Sequence, residues 1–141
     1  MKILLAVDGS RYTKKMLAYL VTHEETFAAN HNEFTLFTAH SPLPANARMA
    51  LGKDVVDNYH ADEAERVLAP ASKFLTRHGI DAKSAWKIGQ AGEAIAKFAE
   101  TGKYDLVLMG SHGHGALANL IMGSAATRVL AHCKVPVLLV R

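Results

Sequence analysis

A fold held by an internal disulfide is excluded, because the 141-residue chain carries a single cysteine, Cys133. A lone thiol also removes any need for an oxidising compartment. Long apolar runs are absent. Ile3 to Val7 is apolar, but Asp8 ends the run far short of a signal-peptide core or a membrane span. A soluble, cytoplasmic protein with no membrane partner is therefore expected. One-sided charge is missing as well: 16 Lys and Arg stand against 13 Asp and Glu, a net charge of +3. The cations are scattered rather than gathered into a stripe, which argues against nucleic acid as a partner. There is no repeat, low-complexity tract or internal linker.

What remains is ordinary globular composition, 50% hydrophobic and 21% charged, rich enough for a real core. The length suits one domain over residues 1–141. Lys2 to Asp8 reads as a strand buried on both faces, ending at Asp8-Gly9-Ser10. Met16, Leu17, Leu20 and Val21 follow at helical spacing, with Ser10 or Thr13 as the start signal. Phe34 to His40 is the second strand, closed by Ser41-Pro42. Leu43 to Lys53 reads as an irregular surface loop. A long helix is expected from about Asp54 to Arg77, with Val56, Tyr59, Val67, Ala71, Phe74 and Leu75 inward. Pro70 should kink or split it, and His78-Gly79 stops it. Ala82 to Ile88 is the third strand, Gly92 to Thr101 a helix with Ile95 and Phe98 inward, and Asp105 to Met109 the fourth strand. The last helix runs from about Ser124 to His132, with Ala126, Val129, Leu130 and Cys133 inward. Val135 to Val140 is the final strand. Alternation of this kind predicts α/β architecture: a doubly wound, five-stranded parallel sheet with helices on both faces.

In such a sheet, ligands bind beyond the carboxyl ends of strands where the chain order reverses. With strand order 3-2-1-4-5, the first strand's end at Asp8 and the fourth's at Gly110 flank that point. The loop after the fourth strand reads Gly110-Ser111-His112-Gly113-His114-Gly115, and Gly123-Ser124 follows at the start of the last helix. Glycines admit close backbone approach, successive N–H groups form an anion nest, and a helix N-terminus favours phosphate. Ser111 and Ser124 add hydroxyl donors. Asp8, an anion, suits donors on a ribose or an adenine instead. The loop is neither a Walker A motif nor a dinucleotide fingerprint. By residues alone, a glycine-rich connection that only turns the chain stays open, as does a purely capping role for Asp8 beside Ser10.

The opening Lys2-Ile3-Leu4-Leu5-Ala6-Val7-Asp8-Gly9-Ser10, the spacing Gly110-x2-Gly113-x9-Gly123-Ser124 and the ending Val135-Pro136-Val137-Leu138-Leu139-Val140 together resemble the universal stress protein family. The resemblance covers nearly the whole chain, and the complete glycine spacing resembles the branch that binds ATP. It implies that Ala6, Val7 and Asp8 line the adenosine end and that Ala39 borders the adenine. It implies further that Met109 contacts the nucleotide, and that Gly110, Ser111, His112, Gly113, His114, Gly115 and Ala116, then Gly123, Ser124 and Ala125, hold ribose and phosphates. Family members are commonly homodimers, and some cycle ATP slowly.

Other residues carry less. His112 and His114 are two apart on a loop with no nearby Cys or carboxylate partner, a poor metal pair; Mg²⁺ carried by the phosphates fits better. Cys133 reads as a small core residue at a helix C-terminus that disfavours a thiolate. Trp86 and Lys87 read as packing and rim, and Lys14-Lys15 as a solvated helix face. Pro136 suits an edge or a strand start. An edge carrying Val-Leu-Leu-Val needs cover, and pairing of Val135 to Val140 with a second copy supplies it by two-fold symmetry. The expected function is an ATP-binding stress-response regulator with no catalytic residue. The rivals are a slow ATPase and a nucleotide-free interaction module. Neither a base for water nor a Walker lysine is evident.

Overall fold

The structure, a computed structural model, describes residues 1–28, 30–115 and 119–141. Its strands are β1 (Lys2–Ala6), β2 (Glu33–His40), β3 (Ala82–Ile88), β4 (Leu106–Gly110) and β5 (Val137–Val140). They form one all-parallel sheet in the order β3-β2-β1-β4-β5, as expected from the alternation. The helices are α1 (Arg11–Thr22), α2 (Ala45–Leu51), α3 (Lys53–Arg77), α4 (Ala91–Thr101) and α5 (Ser124–His132).

Alternate side chains of each buried strand point to opposite faces, and the sheet accordingly has two cores. Ile3, Leu5, Phe34, Leu36 and Leu108 pack with Met16, Leu17 and Leu20 of α1 and with Ala64, Leu68, Ala71 and Leu75 of α3. Leu4, Phe37, Val107 and Met109 pack on the other face with Ile95 and Ala99 of α4 and with Ala126 and Val129 of α5. Burial on both faces is why β1 and β4 read as unbroken apolar runs rather than as alternating ones.

Four local expectations are corrected. Leu43 to Lys53 is not wholly irregular: α2 forms within it and abuts α3 at Gly52, whose φ of +82° turns the chain. No residue of α2 is buried, so no apolar periodicity marked it. Pro70 does not split α3, which continues through it for 25 residues. Pro70 is exposed while Leu68, Ala71 and Leu75 are buried around it, so the lost backbone bond lies on the solvent side and packing holds the helix. Tyr59 is also exposed, and the buried stripe of α3 runs through His60, Ala64 and Leu68 instead. Leu130 of α5 is likewise exposed.

The two sheet edges differ. β3 carries Lys83 and Lys87, both exposed, whereas β5 is Val-Leu-Leu-Val, with all four side chains half-buried. Val107 N–H bonds Pro136 O and Ser111 N–H bonds Val140 O, so the main-chain groups of Val137 and Leu139 point away from β4 to the open edge.

Candidate functional site

β1 lies between β2 and β4, so the crossovers leave it in opposite directions and a crevice opens beyond its carboxyl end. Its volume is about 310 Å³, within the range of small-ligand sites. Ala6, Val7, Asp8, Ala39 and Met109 line it at the strand ends, and Gly110, His112, Gly113, His114 and Gly115 along the loop. Gly123, Ser124 and Ala125 complete it at the start of α5. Ser111 is not among the lining residues: it is buried, with Oγ 2.8 Å from His112 Nδ1. Ala116 lies outside the described residues. Larger grooves occur elsewhere on the surface, but this one gathers the strand ends, the glycine loop and a helix N-terminus together.

Thr13, Ala91, Ile95, Leu120 and Ala126 also line the crevice and were not singled out from sequence. Ile95 and Ala126 were read as core only, which they are as well. Nothing in the sequence marks Thr13 beyond its place as a helix-start residue.

Asp8 stands where β1 meets α1. Its Oδ1 accepts from Ser10 N–H and from Thr13 Oγ1–H, both at 2.9 Å. Its N–H donates to Thr13 Oγ1 at 3.0 Å. Ser10 is the N-cap of α1, so Asp8 braces the cap from two residues further out. Oδ2 faces Gly113, where an added Cβ would stand 2.6 Å from it. Asp8 and the glycine loop therefore meet across the crevice.

The loop is drawn tight by its own donors. Gly123 N–H bonds Ser111 O at 2.7 Å. His112 Nε2–H donates to Leu120 O at 2.8 Å, leaving Nδ1 to accept from Ser111 Oγ. His114 Nε2–H donates to Asp8 O at 2.7 Å. Both imidazoles tether the backbone, and among the described residues no three His, Cys, Asp or Glu side chains form a metal cluster. A Cβ on Gly123 would press 3.0 Å from His112 Cα, so glycine there permits the closure of loop on helix.

Helix α5 begins with no side-chain cap. The N–H groups of Ser124, Ala125 and Ala126 precede the first intrahelical bond, from Thr127 N–H to Gly123 O, and have no partner among the described residues, at the edge of the crevice. An anion there gains roughly 0.3–1 kcal/mol from the helix dipole, and more when partly buried. Asp8 is the only carboxylate among the lining residues, and no Lys or Arg is among them. The crevice thus offers both a carboxylate acceptor and main-chain donors. A divalent cation would find one carboxylate oxygen free, so its ligands would come chiefly from a bound polyphosphate.

Next to Ala39, His40 Nε2 lies 2.8 Å from Nδ1 of His60, which is only 2% exposed, and the His40 ring stacks on Trp86. Burial, then the neighbouring His60, lowers the His40 pKa, with Glu63 opposing. Burial raises that of the Cys133 thiol. Among the described residues, no helix is long and apolar enough to cross a membrane.

The model of the universal stress protein family matches residues 1–141. A universal stress protein of Thermus aquaticus is 31% identical over 140 residues, a match covering 99% of this chain and 97% of that protein. Universal stress protein Slr1230 of Synechocystis is also 31% identical over 140 residues, which cover 99% of this chain but only 42% of Slr1230. The chain therefore spans less than half of that relative. Protein MJ0577 of Methanocaldococcus jannaschii has the same fold, with a TM-score of 0.79, 26% identity and coverage of 99% and 94%. A universal stress protein solved in complex with cAMP shares it at 23% identity, with a TM-score of 0.68 and coverage of 100% and 97%.

Proposed function

The chain belongs to the universal stress protein family, and from that premise we propose that it binds ATP in the crevice beyond β1 and β4 and regulates through the bound state. One observation carries the reading. Asp8 Oδ2 and the uncapped start of α5 face the same space, and no Lys or Arg lines it. Bare phosphate would be repelled at the Asp8 end, and an uncharged nucleoside would leave the helix donors unmatched. A nucleotide satisfies both ends. Solved proteins of the same fold that hold cAMP and dAMP make adenine nucleotides the first ligands to test.

In this arrangement the adenine enters between Ala6, Val7, Ala39 and Met109. Asp8 stands against Gly113, between the apolar slot and the glycine loop, and accepts from the ribose hydroxyls. Gly110, His112, Gly113, His114 and Gly115 of the loop and the donors of Gly123, Ser124 and Ala125 surround the phosphates, with Mg²⁺ carried by the phosphates themselves. Gly123 N–H, already engaged by Ser111, contributes by holding the loop rather than by donating. Asp8 sits at the nucleoside end, away from the phosphate that hydrolysis would cleave, which favours signalling over turnover. Residues 1–141 work as one nucleotide-binding domain, in the cytoplasm, as a homodimer joined along β5.

Mass spectrometry of the purified, denatured protein should detect released adenine nucleotide, and stripped protein should rebind Mg²⁺-ATP with a Kd in the micromolar range (about 8 kcal/mol). Gly113→Val should abolish binding, because its Cβ displaces the Asp8 carboxylate before it fills any space over the phosphates. Unchanged affinity in that variant sinks the reading.

A further inference from the structure

Asp8 presents four polar atoms, and three of them are engaged within the protein. Its N–H donates to Thr13 Oγ1 at 3.0 Å, its main-chain O accepts from His114 Nε2 at 2.7 Å, and Oδ1 accepts from Ser10 N–H and Thr13 Oγ1–H at 2.9 Å each. Among the described residues only Oδ2 is left without a partner, and it faces the crevice against Gly113. Thr13 is unusual in holding both the main chain and the side chain of Asp8 through one hydroxyl, which donates to one and accepts from the other. It sits in the first turn of α1 and is only 6% exposed, so water has little access to stand in for it.

We infer that Thr13 is a positioning residue of the crevice: its hydroxyl locks the Asp8 carboxylate so that Oδ2 meets the sugar hydroxyls of the nucleotide, and it thereby sets selectivity for ribose over deoxygenated sugar. This rests on the nucleotide reading above. A carboxylate freed from Thr13 keeps its charge and its place in the chain but loses its orientation. Ligands that use Oδ2 then weaken, and ligands lacking the sugar hydroxyls do not. A hydrogen bond to a charged acceptor that must be re-formed at each binding event changes affinity by about tenfold.

The test is calorimetric titration with Mg²⁺-ATP and with Mg²⁺-2′,3′-dideoxy-ATP. The wild-type protein should favour ATP by about tenfold. Thr13→Val should bring the two affinities together by weakening ATP alone, and Thr13→Ser, which restores the hydroxyl, should recover the preference. Thr13→Ala serves where valine fails to fold, as judged by circular dichroism. In an Asp8→Ala background Thr13→Val should change neither affinity, whereas a direct contact of Thr13 with the ligand would still be lost there. The inference is overturned if Thr13→Val and Thr13→Ala keep the preference, if they weaken both ligands equally, or if their effect survives in Asp8→Ala. Wild-type protein that binds both nucleotides equally overturns it too. Wild-type protein that binds neither fails the nucleotide reading itself, and this inference with it.

Discussion

At the scale of the residue, the crevice is a set of committed hydrogen bonds with a few deliberate openings. Asp8 and Gly113 show how much of this the sequence carried. An acid closing the first strand and glycines after the fourth were visible, together with the likelihood of their meeting, because parallel topology brings those chain points together. That His114 would tether Asp8, or that Ser111 would turn inward to His112, was not visible, since both depend on side-chain directions that only the packed loop defines. The buried His60 was hidden for a related reason: Tyr59 is the more apolar neighbour, yet the helix turns His60 toward His40. That pair makes a prediction. His40 is lowered from its ordinary value of 6.5, first by burial and then by His60. Between the unfolded and folded pKa values the unfolded chain binds more protons. Stability is therefore fullest above 6.5 and declines as pH falls toward the folded value. Urea midpoints at about pH 7.5 and 5.5 should fall further in the wild type than in His40→Asn; an equal drop in both would rule the pair out as the source.

At the scale of the element, each helix shows a different balance between local signal and packing. Helix α1 was legible because its cap, Ser10, precedes a clear apolar stripe, and α4 because of Ile95 and Phe98, although its cap, Gln90, went unread. The short α2 was not, because it faces solvent throughout and leaves its apolar Met49 and Leu51 exposed. Proline argued against an unbroken α3, and buried contacts on both sides of Pro70 outweighed it. The start of α5 yields the sharpest expectation. An acid at an exposed first-turn position complements the helix dipole, so Ser124→Asp should leave stability unchanged or raise it by up to about 1 kcal/mol. The same charge would repel phosphate, and Mg²⁺-ATP affinity should fall by at least about tenfold, or about 1.4 kcal/mol. Thermal melts together with titration separate the two effects. A binding loss matched by an equal stability loss would mean that the helix terminus serves the fold alone.

At the scale of the whole molecule, the parallel sheet with helices on both faces followed from the alternation of periods and right-handed crossovers, and the order 3-2-1-4-5, supposed from sequence, is the one observed. Assembly is a separate matter. The open edge of β5 presents the main-chain groups of Val137 and Leu139 with no charged side chain within the strand, while β3 is guarded by Lys83 and Lys87. Sedimentation should show a dimer at micromolar concentration, and Leu139→Lys, which sets like charges near one another across a two-fold axis, should shift it to monomer with nucleotide affinity retained. A wild-type monomer under those conditions would refute pairing along β5.

The register that places β1 at the centre of the sheet also governs the order of events at the ribosome. Ile3 pairs on one side with Phe34, soon after both are made, but its other neighbour is Leu106. At ordinary translation speeds roughly 5–20 s pass between the synthesis of the two. Through that interval a strand whose Ile3, Leu4 and Leu5 are fully buried in the finished fold has one side unpartnered, and the crevice at its end cannot exist. β1 is thus made long before its second neighbour can enclose it, and a chaperone or a ligand that acts during synthesis meets a protein whose crevice has not yet been built.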